Sequence, residues 1–360
     1  MSSDSLIADT TARIFADLGD PRAINAAPDD GWKRSLWRAL EEAGLPLLWV
    51  PEDAGGAGAS FVEGLAALEA AGAAACAVPL ADTMTAAWLA AAAGLDVPAG
   101  PLALLPAGEN AVLDDDGCVT GAWRAVPFAS LADHHVAVLA DGKGRDHVAV
   151  LARPDAVAAG TGLAGDERGD VRLSAAAPVA RAPLPATVGR DGPLLVAAAG
   201  RAALMAGALG TLVGLSVDYA GERVAFGRAI GKFQAVQQAL ARLAGEAAAA
   251  SVAAQAAGWA LDASFVQAEF DVAAAKVRAG EAAGAGSAIA HQVHGAIGFT
   301  AEHVLHRFTH RLWSWRDEYG SESLWAERLG RCIAAAGDEG FWGLLTGVPE
   351  PTLQAGGAWA

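Results

Sequence analysis

Basic residues are few. Over 360 residues the chain sets 25 Lys and Arg against 41 Asp and Glu, a formal charge of −16. A phosphate-backbone partner calls for basic patches, so no nucleic-acid role is expected. Cysteine is rarer still: Cys76, Cys118 and Cys332 are odd in number and far apart. They form neither a zinc pattern nor a disulfide framework, which points to a reducing, cytoplasmic setting. Among the longest uncharged runs, residues 202–217 and 247–261 both fall short of the roughly 20 that a bilayer crossing needs. Both are rich in Ala and Gly and read as buried helices of a soluble bundle, without membrane insertion. The first residues carry acid before any base and resemble no secretory leader. A G-x-S-x-G elbow is also missing, which removes support for acyl-enzyme hydrolysis.

What is present is a large apolar complement. The chain is 53% hydrophobic and 18% charged, which excludes general disorder. Its length suits two or three domains with a core that needs no staples. Fourteen of the 16 prolines lie at or before Pro193, and none falls between residues 194 and 348. An interior proline costs a helix about 3 kcal/mol, so this Ala-rich region reads as four or five consecutive helices of a bundle. Breaks are expected near residues 228–231, 261–264 and 295–300. Upstream, Trp32, Leu36, Leu40 and Ala43 recur at helical spacing before Gly44, and further helices are predicted over 62–72 and 80–93. Between them Pro51 and the Gly55, Gly56, Gly58 run enforce an irregular loop. From about residue 101 the texture turns to strands. Residues 135–139 and 147–151 are β-type runs around a D-G-K-G turn, so they should pair as a hairpin, with further strands over 112–120 and 171–174. The predicted division is a helical domain over 1–100, a β-domain over 101–190, a helical bundle over 191–346 and a tail over 347–360.

Residues 160–165 match G-x-G-x-x-G, but the acidic stretch from Asp166 to Asp170 opens no amphipathic helix. A surface loop is predicted there rather than a dinucleotide fingerprint. His303, His306 and His310 share roughly one helical face, and His291 and His294 precede them. No carboxylate or cysteine completes a tetrahedral set, so a buried seam is expected and no metal site. Two bundle segments carry more. The first runs R-V-A-F-G-R-A-I-G-K-F-Q from Arg223 to Gln234; the second runs Q-V-H-G-A-I-G-F-T from Gln292 to Thr300. Arginine plus glutamine beside a glycine turn suits a diphosphate. Gly295 and Gly298 would allow close backbone approach to a ligand, and Thr300 could cap the following helix.

With these two segments, the chain resembles the acyl-CoA dehydrogenase family along nearly its whole length. The residues from Gly44 to Gly58 are similar to the family's N-terminal helical domain, and those from Gly121 to Asp133 to its middle β-domain. The resemblance implies a mostly α fold: an N-terminal helical domain, a short barrel- or sandwich-like β-domain and a C-terminal four-helix bundle. It also implies FAD bound at a subunit interface of a tetramer. Arg223, Phe226 and Gln234, with Gln292, Val293, His294, Gly295 and Ala296, match residues that contact the diphosphate or adenosine portion. Ser321 and Ser323, just beyond Gly320, match positions that touch the flavin. The implied activity is oxidation of an acyl-CoA between Cα and Cβ, with electrons passing to an electron-transfer flavoprotein.

Two departures stand out. In many members a catalytic glutamate immediately precedes the glycine equivalent to Gly320; here Tyr319 stands there, and Glu318 is one residue earlier. A tyrosine, with an ordinary pKa near 10, is a poor base at neutral pH, so Glu318 through a shifted turn is the candidate base. Other members carry the base on an earlier bundle helix, where residues 197–203 offer only Arg201. In addition, the family's T-E-P…G-S-D flavin-facing segment has no clear match, and residues 102–110 look like a shortened replacement. The leading expectation is an FAD-dependent acyl-CoA dehydrogenase. The alternative is a base-deficient subunit that completes the FAD site of a heterotetramer with a homologous chain.

Overall fold

In the computed structural model, residues 3–27, 29–108, 111–154 and 157–346 are described; the predicted tail over 347–360 lies outside them. Five helices come first: α1 (Ser3–Leu18), α2 (Pro21–Ala26), α3 (Gly31–Glu42), α4 (Phe61–Gly72) and α5 (Leu80–Ala92). The expected α3 stripe buries Leu36 and Leu40, and Gly44 leaves the helix at φ 72°. The α4 helix starts on a capping box in which Ser60 and Glu63 satisfy each other's backbone N–H. Asp262, from a later helix, accepts from the N–H groups of Phe61 and Val62 at 2.7 and 3.2 Å, tying that start to the bundle.

Eight strands follow: β1 (Leu102–Leu105), β2 (Val112–Leu113), β3 (Val119–Pro127), β4 (His134–Asp141), β5 (Asp146–Ala152), β6 (Val157–Thr161), β7 (Glu167–Ala176) and β8 (Ala180–Pro183). They form one mixed sheet in the order β6-β7-β3-β2-β4-β5-β8, with β1 pairing parallel to β4 beside β2. The β4–β5 hairpin has the expected partners, His135 opposite Leu151 and Leu139 opposite His147. The run expected as one strand over 112–120 is instead a hairpin. Asp114 accepts from the Cys118 N–H at 2.7 Å, and Gly117 turns at φ 81°. The continuous apolar runs reflect burial on both faces. Leu102, Leu104, Val136 and Val138 face the main core, while Ala103, Leu105, Ala137 and Leu139 face a second one.

The bundle comprises α6 (Gly192–Glu222), α7 (Gln234–Ala263), α8 (Phe265–His294), α9 (Leu305–Asp317) and α10 (Glu322–Thr346), with a break at Gly337 inside α10. The α6 helix is long and apolar enough to cross a membrane, yet its most apolar stretch is 83% buried in this fold, the signature of a core helix. It packs against α4 so closely that a Cβ on Gly207 would lie 1.8 Å from the Glu69 carbonyl. This contact fixes the N-terminal helices, and hence α5, against the first half of α6. The resulting architecture is helical domain, β-sheet domain, helical bundle.

Candidate active site

The turn between α9 and α10 is where charge concentrates. Glu318 ends α9, Tyr319 takes φ 52° and Gly320 takes φ 103°. A Cβ on Gly320 would meet the Trp325 indole nitrogen at 2.5 Å, so only glycine fits. Glu318 is 5% exposed and accepts from Arg201 of α6 and from Arg168 of β7. Arg201 also donates to both oxygens of Asp82 on α5, each at 2.8 Å. The Tyr319 hydroxyl donates to the same Asp82 at 2.6 Å. Beyond Arg168, the buried Asp166 pairs with Arg311 of α9 at 3.3 Å. Three carboxylates and three guanidiniums thus balance where all three domains meet.

The titration behaviour follows. Burial acts to lower the proton affinity of Arg201, but Asp82 and Glu318 outweigh it and hold the guanidinium above its ordinary value. Burial and the Asp82 charge push the Tyr319 hydroxyl well above its ordinary value. Tyr319 is therefore a hydrogen-bond donor at neutral pH rather than a base. Glu318 has both oxygens engaged by guanidiniums, which disfavours the role of free base that its carboxylate suggested.

Between this turn and the sheet lies a cleft of about 410 Å³. Trp123, Arg124 and Val126 of β3 line one wall, and Asp317, Glu318, Tyr319 and Gly320 the other. Ser321 and Ser323 follow directly, the first partly buried and the second exposed. Trp123 is fixed from behind, its indole donating to the Pro106 carbonyl at 2.9 Å.

The remaining candidates sit elsewhere. Arg223 follows α6, Phe226 belongs to the α6–α7 connection, Gln234 opens α7, Gln292 to His294 end α8, and Gly295 and Ala296 start the turn after it. This connection includes the two-residue strands β9 (Val224–Ala225) and β10 (Arg228–Ala229). Tyr219 stacks on His294 at 4.5 Å, which brings the two segments to one end of the bundle. At 1.5 Å rise per residue, Arg201 and Arg223 stand about 33 Å apart along α6. The structure therefore gathers Arg223, Phe226, Gln234 and the 292–296 run at one end, and Glu318, Tyr319, Ser321 and Ser323 at the other.

The first group suits a dinucleotide. Arg223 is exposed and has no ion-pair partner among the described residues, and Phe226 is 96% exposed beside Gly227 at φ 79°. Gln292, Gly295 and Ala296 are exposed, so an amide side chain and bare backbone face outward. The buried His294 side chain turns inward, with its Nδ1 2.8 Å from the Ala290 carbonyl, and Val293 is buried. Those two residues can offer a ligand only their backbone. Two expectations need correction. Gly298 is buried, and a Cβ there would meet Leu305 at 2.8 Å, so it serves packing rather than ligand approach. Thr300 donates to the Ile297 carbonyl at 2.9 Å and does not cap α9, which starts after Val304. The expected buried histidine seam holds only in part: His291 and His294 are buried, the first stacked on Phe299 at 4.0 Å and the second 4.8 Å from His303, whereas His303, His306 and His310 are half-buried. No metal-binding cluster occurs among the described residues.

Sequence reasoning missed Asp82, Asp166, Arg168 and Lys276. A signal existed for two of them. Asp82 is a lone acid in an apolar helix and Lys276 follows three alanines and a valine, and a charge in such a place needs a partner. Asp166 and Arg168 adjoin the G-x-G-x-x-G stretch, whose first two residues end β6 and whose remainder is the surface β6–β7 turn. Yet it delivers both side chains into the interdomain network.

Comparison with known proteins adds an independent line. The profile of the acyl-CoA dehydrogenase N-terminal domain matches residues 2–96, and that of the C-terminal domain matches residues 192–333. Acyl-CoA dehydrogenase IpdE2 of Mycobacterium tuberculosis is 32% identical over 312 residues, 85% of this chain and 89% of that protein. A steroid ACAD variant, Tcur3481-Tcur3483, superposes with a TM-score of 0.82 at 25% identity, covering 92% of this chain and 98% of that one. The ChsE4-ChsE5 complex of Mycobacterium tuberculosis gives a TM-score of 0.82 at 24% identity over 93% and 98%, a likeness of fold.

Proposed function

The chain belongs to the acyl-CoA dehydrogenase family, and from that premise we propose that it is the base-deficient subunit of a heteromeric acyl-CoA dehydrogenase. In such an assembly a homologous chain supplies the glutamate that removes the α-proton. This chain completes the FAD site through Arg223, Phe226, Gln234 and the 292–296 run. FAD, when bound, supplies the hydride acceptor for Cβ, and an electron-transfer flavoprotein is the expected electron partner. Arg223 contributes positive charge toward the diphosphate, while Gln292 and the open backbone at Gly295 and Ala296 contribute hydrogen bonds. Phe226 offers an apolar face to the adenosine portion.

The observation that carries this reading is the engagement of Glu318 by Arg201 and Arg168. A general base must present a lone pair to the α-proton, and this carboxylate spends both oxygens on guanidiniums. The 33 Å or so between the two residue groups supports a site completed across chains. So do relatives whose names join two components, Tcur3481-Tcur3483 and ChsE4-ChsE5. The competing role, Glu318 as base within this chain, is tested by Glu318→Gln. In the assembled enzyme, the rate at which an acyl-CoA bleaches the flavin should stay within about threefold of wild type at matched flavin content. A fall of 100-fold or more would return the base to this chain.

A further inference from the structure

Lys276 is 1% exposed on α8 and plays no part in the cofactor contacts above. Its ammonium donates to the carbonyls of Trp315 at 3.2 Å, Arg316 at 2.7 Å and Gly320 at 2.8 Å. The first two are orphan carbonyls at the end of α9, where a cation is favoured. The third lies across the turn and is no part of that helix. While the amine is protonated, three N–H donors meet three acceptors; the neutral amine keeps two. A tyrosine at positive φ is a costly conformation that persists only where its surroundings impose it. Here the neighbouring carbonyl, that of Tyr319, accepts from the Trp325 indole at 2.9 Å.

We propose that Lys276 is the positioning residue of the cleft turn: by tying the end of α9 to Gly320 it holds Glu318 and Tyr319 against Arg201 and Asp82. The meaning of that retracted glutamate rests on the function proposed above, but the tie itself does not. The charged groups that face Lys276 are Glu318 and Asp317 on the turn, Glu322 on α10 and Arg201 on α6. Burial outweighs their net attraction and lowers the lysine from 10.5 to about 7. When the turn opens, water reaches the amine and restores its ordinary value. Above pH 7 opening therefore takes up a proton and becomes harder as pH rises.

The test is hydrogen exchange on the full chain, with protection factors corrected for the intrinsic pH dependence of exchange. Lys276→Met keeps the length and removes the donors. Amides 318–321 should lose at least tenfold protection while those in the middle of α8 change less than twofold. Unchanged turn protection, or an equal loss throughout the chain, would overturn the proposal. In wild type, protection of the same amides should be flat below pH 7 and rise above it, by at most about tenfold per unit. The Met variant should show no such rise. Should that variant fail to fold, Lys276→Gln takes its place: it is shorter and keeps fewer donors, and amides 318–321 that lose no more protection than the middle of α8 overturn the proposal. Neither measurement reads flavin or activity, so this idea and the proposed function fail separately.

Discussion

Arg201→Met removes the centre of the interdomain network and keeps an unbranched side chain of related length. In the native chain Arg201 makes a two-pronged bond to Asp82 and a third bond to Glu318. The three side chains are 2%, 1% and 3% exposed. The variant leaves Asp82 with only the Tyr319 hydroxyl and Glu318 with Arg168 and Ser314. Removing one partner of a buried ion pair costs about 3–5 kcal/mol, because the other charge stays stranded. Asp82 is stranded on one neutral donor while Glu318 keeps Arg168 and Ser314, so a cost within that range is expected. Against a total stability of about 5–15 kcal/mol this is a large loss. Urea unfolding followed by tryptophan fluorescence would read it as a lower midpoint at unchanged slope. Adding Asp82→Asn removes one stranded charge and should recover part of the loss, so the two substitutions should be non-additive. A cost below about 1 kcal/mol, typical of exposed pairs, would refute the claim that this network is sealed from water.

Two further outcomes follow from the same geometry. Arg223→Ala in the assembled protein should weaken FAD binding by about 1.5–3 kcal/mol, roughly 10- to 150-fold, read from flavin absorbance after dialysis; undiminished occupancy would remove Arg223 from the site. His135 is fully buried, and burial lowers its pKa from 6.5 to about 4. Below pH 6.5 the unfolded chain takes up a proton that the folded chain refuses. Stability present above 6.5 is thus lost down to about pH 4, by about 3 kcal/mol in all. His135→Leu should flatten that part of the stability–pH curve, and an unaltered slope would assign the loss to other groups.

The fold was legible wherever periodicity and chain breakers agreed. The Pro-free stretch becomes α6 to α10, and the pause around Gly295 becomes a real break between α8 and α9. The β4–β5 hairpin follows from its turn residues. The 112–120 run misled because Asp114 and Gly117 can close a turn inside a segment whose flanks look like one strand. The residues proposed to hold FAD could be named because most lie in two short contiguous segments that carry the family resemblance, although those segments alone did not show that His294 points inward. The charged network was hidden for a different reason. Asp82, Asp166, Arg168, Arg201, Arg311 and Glu318 come from four separated segments, and only the packing of α5, α6, α9 and the β6–β7 turn assembles them. Glu318 has the right chemistry for a base in sequence. Its two guanidinium partners are a tertiary fact.

The central claim is that this chain helps to hold FAD but does not supply the base. The most direct measurement is anaerobic titration of the purified chain, supplied with FAD, by straight, branched and steroid-side-chain acyl-CoAs while the flavin band is followed. The account predicts that no substrate bleaches the band with this chain alone, and that bleaching appears once a homologous subunit bearing the family's glutamate is added. Bleaching by any acyl-CoA in the chain alone would contradict it.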